Sequence, residues 1–235
     1  MKKILSLCLV FALFSCTELQ NVVNSLPQDG GALTQDQIGN GLKEALQFGI
    51  DKQVSKLTAQ DGFFRNELVK ILLPEELRKV DKTLRDVGLG SIADEGLKIL
   101  NRAAEDAVKE ATPIFIDAVK GITFTDAKNI LLGNQDAATQ YLTSRTQQAL
   151  YSKFKPVIQN SFGKVGADQI WTNLITKYNA IPLTKNVNPD LTDYVTQEAL
   201  KGVYKMIAVE EKQIRSKVSS RSTDLLRRVF ALQDR

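Results

Sequence analysis

The chain has 235 residues and a mass of 26.1 kDa, with 43% hydrophobic and 25% charged residues, a mean hydropathy of -0.16 and a formal charge of +4. That is the composition of a globular protein, not of a disordered, collagen-like or polytopic membrane chain. It contains no histidine, which excludes imidazole metal sites, Ser-His-Asp and Cys-His catalysis and histidine pH switches, and its two cysteines cannot make a disulfide framework.

The N-terminus reads as an export signal. Lys2 and Lys3 are a short basic region, and Ile4 to Phe14 is an apolar run of eleven residues. A membrane-spanning helix needs about 20, so the run fits a cleaved signal instead. Leu13-Phe14-Ser15-Cys16 resembles a bacterial lipobox, in which the cysteine is acylated. Phe14 is bulkier than the strict pattern. Residues 1–15 are thus expected to be a lipoprotein signal peptide and Cys16 the lipid attachment. Thr17 stands where an aspartate would favour inner-membrane retention, which leans towards the outer membrane. Residues 16–33, with Pro27 and Gly30-Gly31, read as the lipidated cysteine and a flexible tether. The 17 residues after Cys16 would reach roughly 20–25 Å.

Residues 34–235 read as one all-α domain of about 7–9 helices. Thr34-Gln35-Asp36-Gln37 is a capping box, followed by apolar residues at helical spacing from Ile38 to Leu57 and a break at Asp61-Gly62. Pro74 suits the first turn of a second helix carrying Leu77, Val80, Leu84 and Val87. Ser91 is expected to cap a long third helix reaching Ala111, with a kink or restart at Pro113. Thr125 is expected to cap a short helix ending at Gly133. Asn134 opens another, running towards Pro156. A helix over 167–179 carries Ile170, Trp171, Leu174 and Ile175. After the Asn188-Pro189 turn, a long helix spans about Leu191 to Val218, and Ser222 caps a last short one. No segment alternates as a strand does.

Few motifs suggest chemistry. Ser152-Lys153-Phe154-Lys155 and Ser161-Phe162-Gly163-Lys164 match S-x-x-K. With 12 serines and 21 lysines, about one match is expected by chance. Gly88-Leu89-Gly90-Ser91-Ile92-Ala93 follows an amphipathic helix, not the strand that a dinucleotide fingerprint requires. Glu211 and Arg215 are four apart, and Arg102 is spaced to meet Asp106. Taken alone, each pair reads as a solvated helix face. Residues 201–235 hold nine basic and four acidic side chains, again most simply a solvated face. No cofactor, metal site or nucleic-acid partner is indicated.

Several stretches together are familiar. They are Gly41-Leu42-Lys43-Glu44-Ala45-Leu46, Asn101-Arg102-Ala103-Ala104-Glu105, Asp126-Ala127 through Gly133, Ala137-Ala138-Thr139-Gln140-Tyr141, Leu191-Thr192-Asp193-Tyr194-Val195-Thr196, and Ile207-Ala208 through Glu210-Glu211 to Ile214-Arg215. In this order the chain resembles the bacterial family called domain of unknown function 4197. The resemblance implies a secreted or lipid-anchored helical domain and no assigned activity.

Those stretches set polar residues in Ala-rich helices: Asn101, Arg102, Glu105, Asp126, Thr139 and Tyr141, with Glu211 and Arg215. Small neighbours permit close packing, so a buried hydrogen-bonded network that fixes helix register is the favoured expectation, and lining a site the alternative. The expected function is that of a membrane-tethered envelope protein meeting another envelope component without catalysis. The alternatives are a small-molecule or lipid binder with an apolar pocket between helices and, last, a histidine-free hydrolase.

Overall fold

The computed structural model describes residues 33–74, 78, 82, 85–86, 88, 90–180, 182–183 and 186–234. The signal, Cys16 and nearly all of the tether lie outside these, as do Leu77, Val80, Leu84, Val87 and the side chains of Ile170, Trp171, Leu174 and Ile175. The described residues form eight α-helices and no strand, in one compact all-α unit from Thr34 onward.

Helix α1 spans Gln35–Thr58, and its Thr34–Gln37 capping box forms in full. An irregular segment over 59–74 follows it. Helix α2 is Gly90–Val108, so Ser91 lies within its first turn instead of capping it. The helix does not continue to Ala111. Helix α3, Ala111–Lys120, restarts there with Pro113 in its first turn. The proline ring would clash with the carbonyl four residues back, at Lys109, and that is where the helix breaks. Helix α4 is Phe124–Leu132 and ends at Gly133 as expected, but its cap is Thr123. Thr123 has an acid three residues on, Asp126, which completes a capping box.

Helix α5 is Ala137–Gly163 and passes through Pro156 without stopping. Pro156 is exposed, so the Ser152 carbonyl that it leaves unpaired faces water. Helix α6 is Ala167–Asn179 and α7 is Leu191–Ser216, capped by Asp190. A 3-10 turn, Val218–Ser220, leads to α8, Asp224–Phe230, which Thr223 caps in place of the expected Ser222. A last 3-10 turn covers Ala231–Gln233.

Helix α7 is the axis of the domain. It packs on α1, α2, α5 and α6. Fourteen of its 26 residues are buried, far more than one apolar stripe supplies. Helices α5 and α7 run antiparallel: Thr139 meets Glu211, Thr146 meets Tyr204, and Tyr151 meets Asp193. The first part of the chain runs down α7 in the same sense. Gly41 touches Val229, Gln53 bonds Glu210, Phe63 touches Gly202, and the Leu72 carbonyl accepts from Tyr194 Oη. Phe63, Phe115, Phe154 and Phe162 are fully buried. Each contributes roughly 1.5–3 kcal/mol relative to exposure. Phe115 and Tyr204 meet edge to face with centroids 6.0 Å apart.

Candidate functional site

The eight polar candidates inside the domain fall into three separate places. In each, the geometry begins from backbone groups that a helix end or a loop leaves without a partner.

The first is the corner between α4 and α5. The residue before α5, Asp136, makes no side-chain cap. The open N–H groups of Ala138 and Thr139 are instead bound by Glu211 from α7, at 2.9 and 2.8 Å, and Thr139 Oγ1 donates to the same carboxylate at 2.8 Å. One turn further along α7, Arg215 reaches Glu211 through Nε and Nη2 at 2.9 and 2.8 Å. Its guanidinium also donates to the carbonyls of Leu131 and Ile130, at 3.2 and 2.8 Å, in the last turn of α4. The carboxylate thus caps the positive end of one helix and the guanidinium the negative end of another. The two side chains are 6% and 3% exposed, so they are core and not the solvated face that their spacing suggests.

The second place fastens the 59–74 segment to α2. The Asn101 carboxamide accepts from Ile71 N at 2.8 Å and donates to Ile71 O at 2.9 Å, filling the loop's free backbone groups. Glu105 accepts from Phe63 N at 3.1 Å. Arg102 bridges Glu105 and Asp61 at 2.8 and 2.7 Å, and not Asp106, which pairs with Lys109.

The third holds Asp126 and Tyr141. Asp126 accepts from Thr123 N at 3.0 Å and Oγ1 at 2.7 Å, which holds its carboxyl below the ordinary range. Tyr141 is half-buried, with the Arg145 guanidinium 5.4 Å from its ring centroid. Burial first, and then the Asp126 charge, push its hydroxyl above the usual tyrosine value. An open groove runs past them, with Ile114, Ala118 and Ala149 in its walls.

Sequence reasoning missed two further buried charges. Glu210 is 2% exposed and takes Lys52 Nζ and Gln53 Nε2, each at 2.6 Å. Gln53 Oε1 has no hydrogen-bond partner among the described residues. Arg221, also buried, donates to the carbonyls of Ile214 and Arg215 at the end of α7 and clasps Asp234 at 2.6 and 2.8 Å. Glu210 packs against Gly49 of α1, four residues before Gln53, a contact between distant segments that spacing alone does not signal. Between α1, α5, α7 and α8 lies a cavity of about 20 Å³, walled by Leu42, Ile50, Ile207 and Phe230 among others. That volume holds about one water. Among the described residues, no group of three or more acidic or cysteine side chains could hold a metal ion, and no helix is long and apolar enough to cross a membrane.

The family model described as protein of unknown function (DUF4197) matches residues 32–231. The chain belongs to that family. The match covers every helix described above, so the three polar clusters lie within the DUF4197 region itself. No curated protein and no solved structure matches the chain.

Proposed function

We propose that this DUF4197 member is a lipid-anchored envelope protein that acts by binding at its surface and not by catalysis. The observation that carries the reading is the fate of the buried polar groups. Glu211, Arg215, Asn101, Glu105 and Arg221 hold backbone groups at helix ends or in the 59–74 segment. A carboxylate already accepting five hydrogen bonds, as Glu211 does, has no lone pair turned to a substrate. The small cavity between α1, α5, α7 and α8 takes about one water, which leaves no room there for a small-molecule cargo. The basic start, short apolar run and lipobox-like Cys16 support the anchor, and Thr17 favours the outer membrane.

Two measurements test this. Labelled palmitate should enter the wild-type chain and not Cys16→Ser, and the label should follow outer-membrane fractions. Native mass spectrometry of the chain from Thr17 onward should give the bare polypeptide mass, as monomer or dimer. An excess of a few hundred daltons that disappears on denaturation would assign it to the ligand binders instead.

A further inference from the structure

We propose that the open groove between α5 and α7 binds an uncharged oligosaccharide through glutamine side chains. Ser144, Gln147, Gln148 and Tyr151 of α5 and Gln197 of α7 line this groove, whose volume is about 490 Å³. The four α5 residues follow the i, i+3, i+4, i+7 spacing, so they form one stripe along the helix. The two walls are tied together beneath the groove, where Thr146 Oγ1 and Tyr204 Oη lie 2.8 Å apart and Tyr151 Oη donates to Asp193 at 2.6 Å. All three glutamines are exposed, and their carboxamides form no hydrogen bond among the described residues. Each offers two N–H donors and a carbonyl acceptor. Ser144 Oγ donates to the Tyr141 carbonyl, and its lone pairs remain to accept.

The chemistry of the lining selects the ligand. No lining residue is charged, although a quarter of the chain is. From Thr139 to Ser152 the one charged residue is Arg145, and it stands over the Tyr141 ring at 5.4 Å, in the wall of the other groove. The charges next to the lining residues are paired within the chain: Lys155 with Asp190 at 3.2 Å, and Lys201 with Glu198 at 2.6 Å. An anionic headgroup or nucleic acid therefore meets no free cation in the lining. An extended peptide is captured by free backbone groups at a sheet edge or by apolar pockets. Here both walls are helices whose backbone is paired, and the lining holds no aliphatic side chain. Sugar hydroxyls both donate and accept, which matches carboxamides that present both kinds of group side by side. The Tyr151 ring, fixed by its bond to Asp193, adds an apolar surface for the C–H face of a sugar.

The inference rests on the surface-binding reading above and names the class of its partner, and its test can fail separately. The chain from Thr17 onward is titrated with chitotetraose and with maltotetraose, and the side-chain NH2 signals of Gln147, Gln148 and Gln197 are followed by NMR. At least one sugar should shift all three and saturate in the high-micromolar to millimolar range, because an open groove orders flexible side chains at a cost. Which sugar binds separates an N-acetylglucosamine polymer from a glucan. Gln148→Ala/Gln197→Ala should raise that Kd by about tenfold, with unchanged circular dichroism and Tm, since both side chains are exposed. Binding of neither sugar overturns the proposal, as does binding that the double variant leaves intact. Shifts of these glutamines by tetraglycine or by oligogalacturonate, and not by the neutral sugars, also overturn it and assign the groove to peptide or to an anionic polymer. A ligand held this weakly is lost on purification, so the bare native mass is expected whether or not the sugars bind.

Discussion

Glu211 and Arg215 show why one residue's chemistry cannot be read from its spacing. As an i, i+4 pair on a helix surface they would be worth a few tenths of a kcal/mol. Buried, and joined to the ends of two other helices, they are expensive to disturb. Removing one partner from such a pair costs about 3–5 kcal/mol, so Arg215→Ala should lower Tm by roughly 10 °C in a chain of this size, read by calorimetry. A simple buried ion pair can be replaced by apolar side chains at little cost. Here Glu211→Leu with Arg215→Met should remain destabilised by about 2 kcal/mol or more, because the ends of α4 and α5 stay uncapped. A double variant as stable as wild type in urea would show that the caps contribute nothing. Leu183 is the opposite case. It is fully exposed, at φ 67, a region that favours Gly or Asn. Leu183→Asn should therefore stabilise by about 0.5–1 kcal/mol.

At the level of elements, glycines separate positions that only resemble one another in sequence. Gly49 and Gly202 both lie inside long helices, where Ala is intrinsically better by about 1 kcal/mol. An added Cβ at Gly49 would meet Glu210 Cγ at 3.4 Å, beside the small cavity, whereas at Gly202 it would meet the Phe63 ring at 2.7 Å and Val69 at 3.3 Å. Gly49→Ala should raise Tm and Gly202→Ala should lower it, and equal effects would contradict the packing described. The helices themselves were largely legible: periodicity placed α1, α6 and α7, and Gly133 marked the end of α4. Caps were read correctly only where the full two-residue signal was used. Thr34 pairs with Gln37, whereas the expected cap of α4 at Thr125 overlooks Thr123, which has Asp126 three residues on. Pro156 misled because a proline on a water-facing side of a helix costs less than one inside. The buried charges were not legible because burial depends on partners from distant segments. Gln53 and Glu210 are 157 residues apart.

For the whole molecule, the acid side of the stability curve follows from the carboxylates. The Thr123 N–H and hydroxyl hold Asp126 low, and the Arg221 guanidinium holds Asp234 low. For Asp190, burial pushes upward, but hydrogen bonds from Asp193 N–H and Lys155 outweigh it. Groups lowered on folding contribute stability above their unfolded pKa of about 3.9 and lose it as pH falls through the folded values. The chain has no histidine to titrate near neutrality. Tm should be nearly flat between about pH 5 and 8 and fall below about pH 4, with a shallower fall in Asp234→Asn. A step near pH 6.5 would contradict this account. The same accounting supports the proposed reading, in which function lies outside the core. The charged groups buried among the described residues hold helices and the 59–74 segment together, which is the observation on which the proposed surface-binding reading rests.

The most direct test of that central claim is hydrogen exchange at Ala138 and Thr139. Both amides lie in the first turn of α5, where no helix carbonyl can protect them, and Glu211 is their acceptor. They should exchange as slowly as the core of α5 in the wild-type chain, and at least about tenfold faster in Glu211→Gln while the rest of α5 is unchanged. Fast exchange in the wild type, or slow exchange that survives the substitution, would mean that Glu211 is not holding the helix and is available for other chemistry.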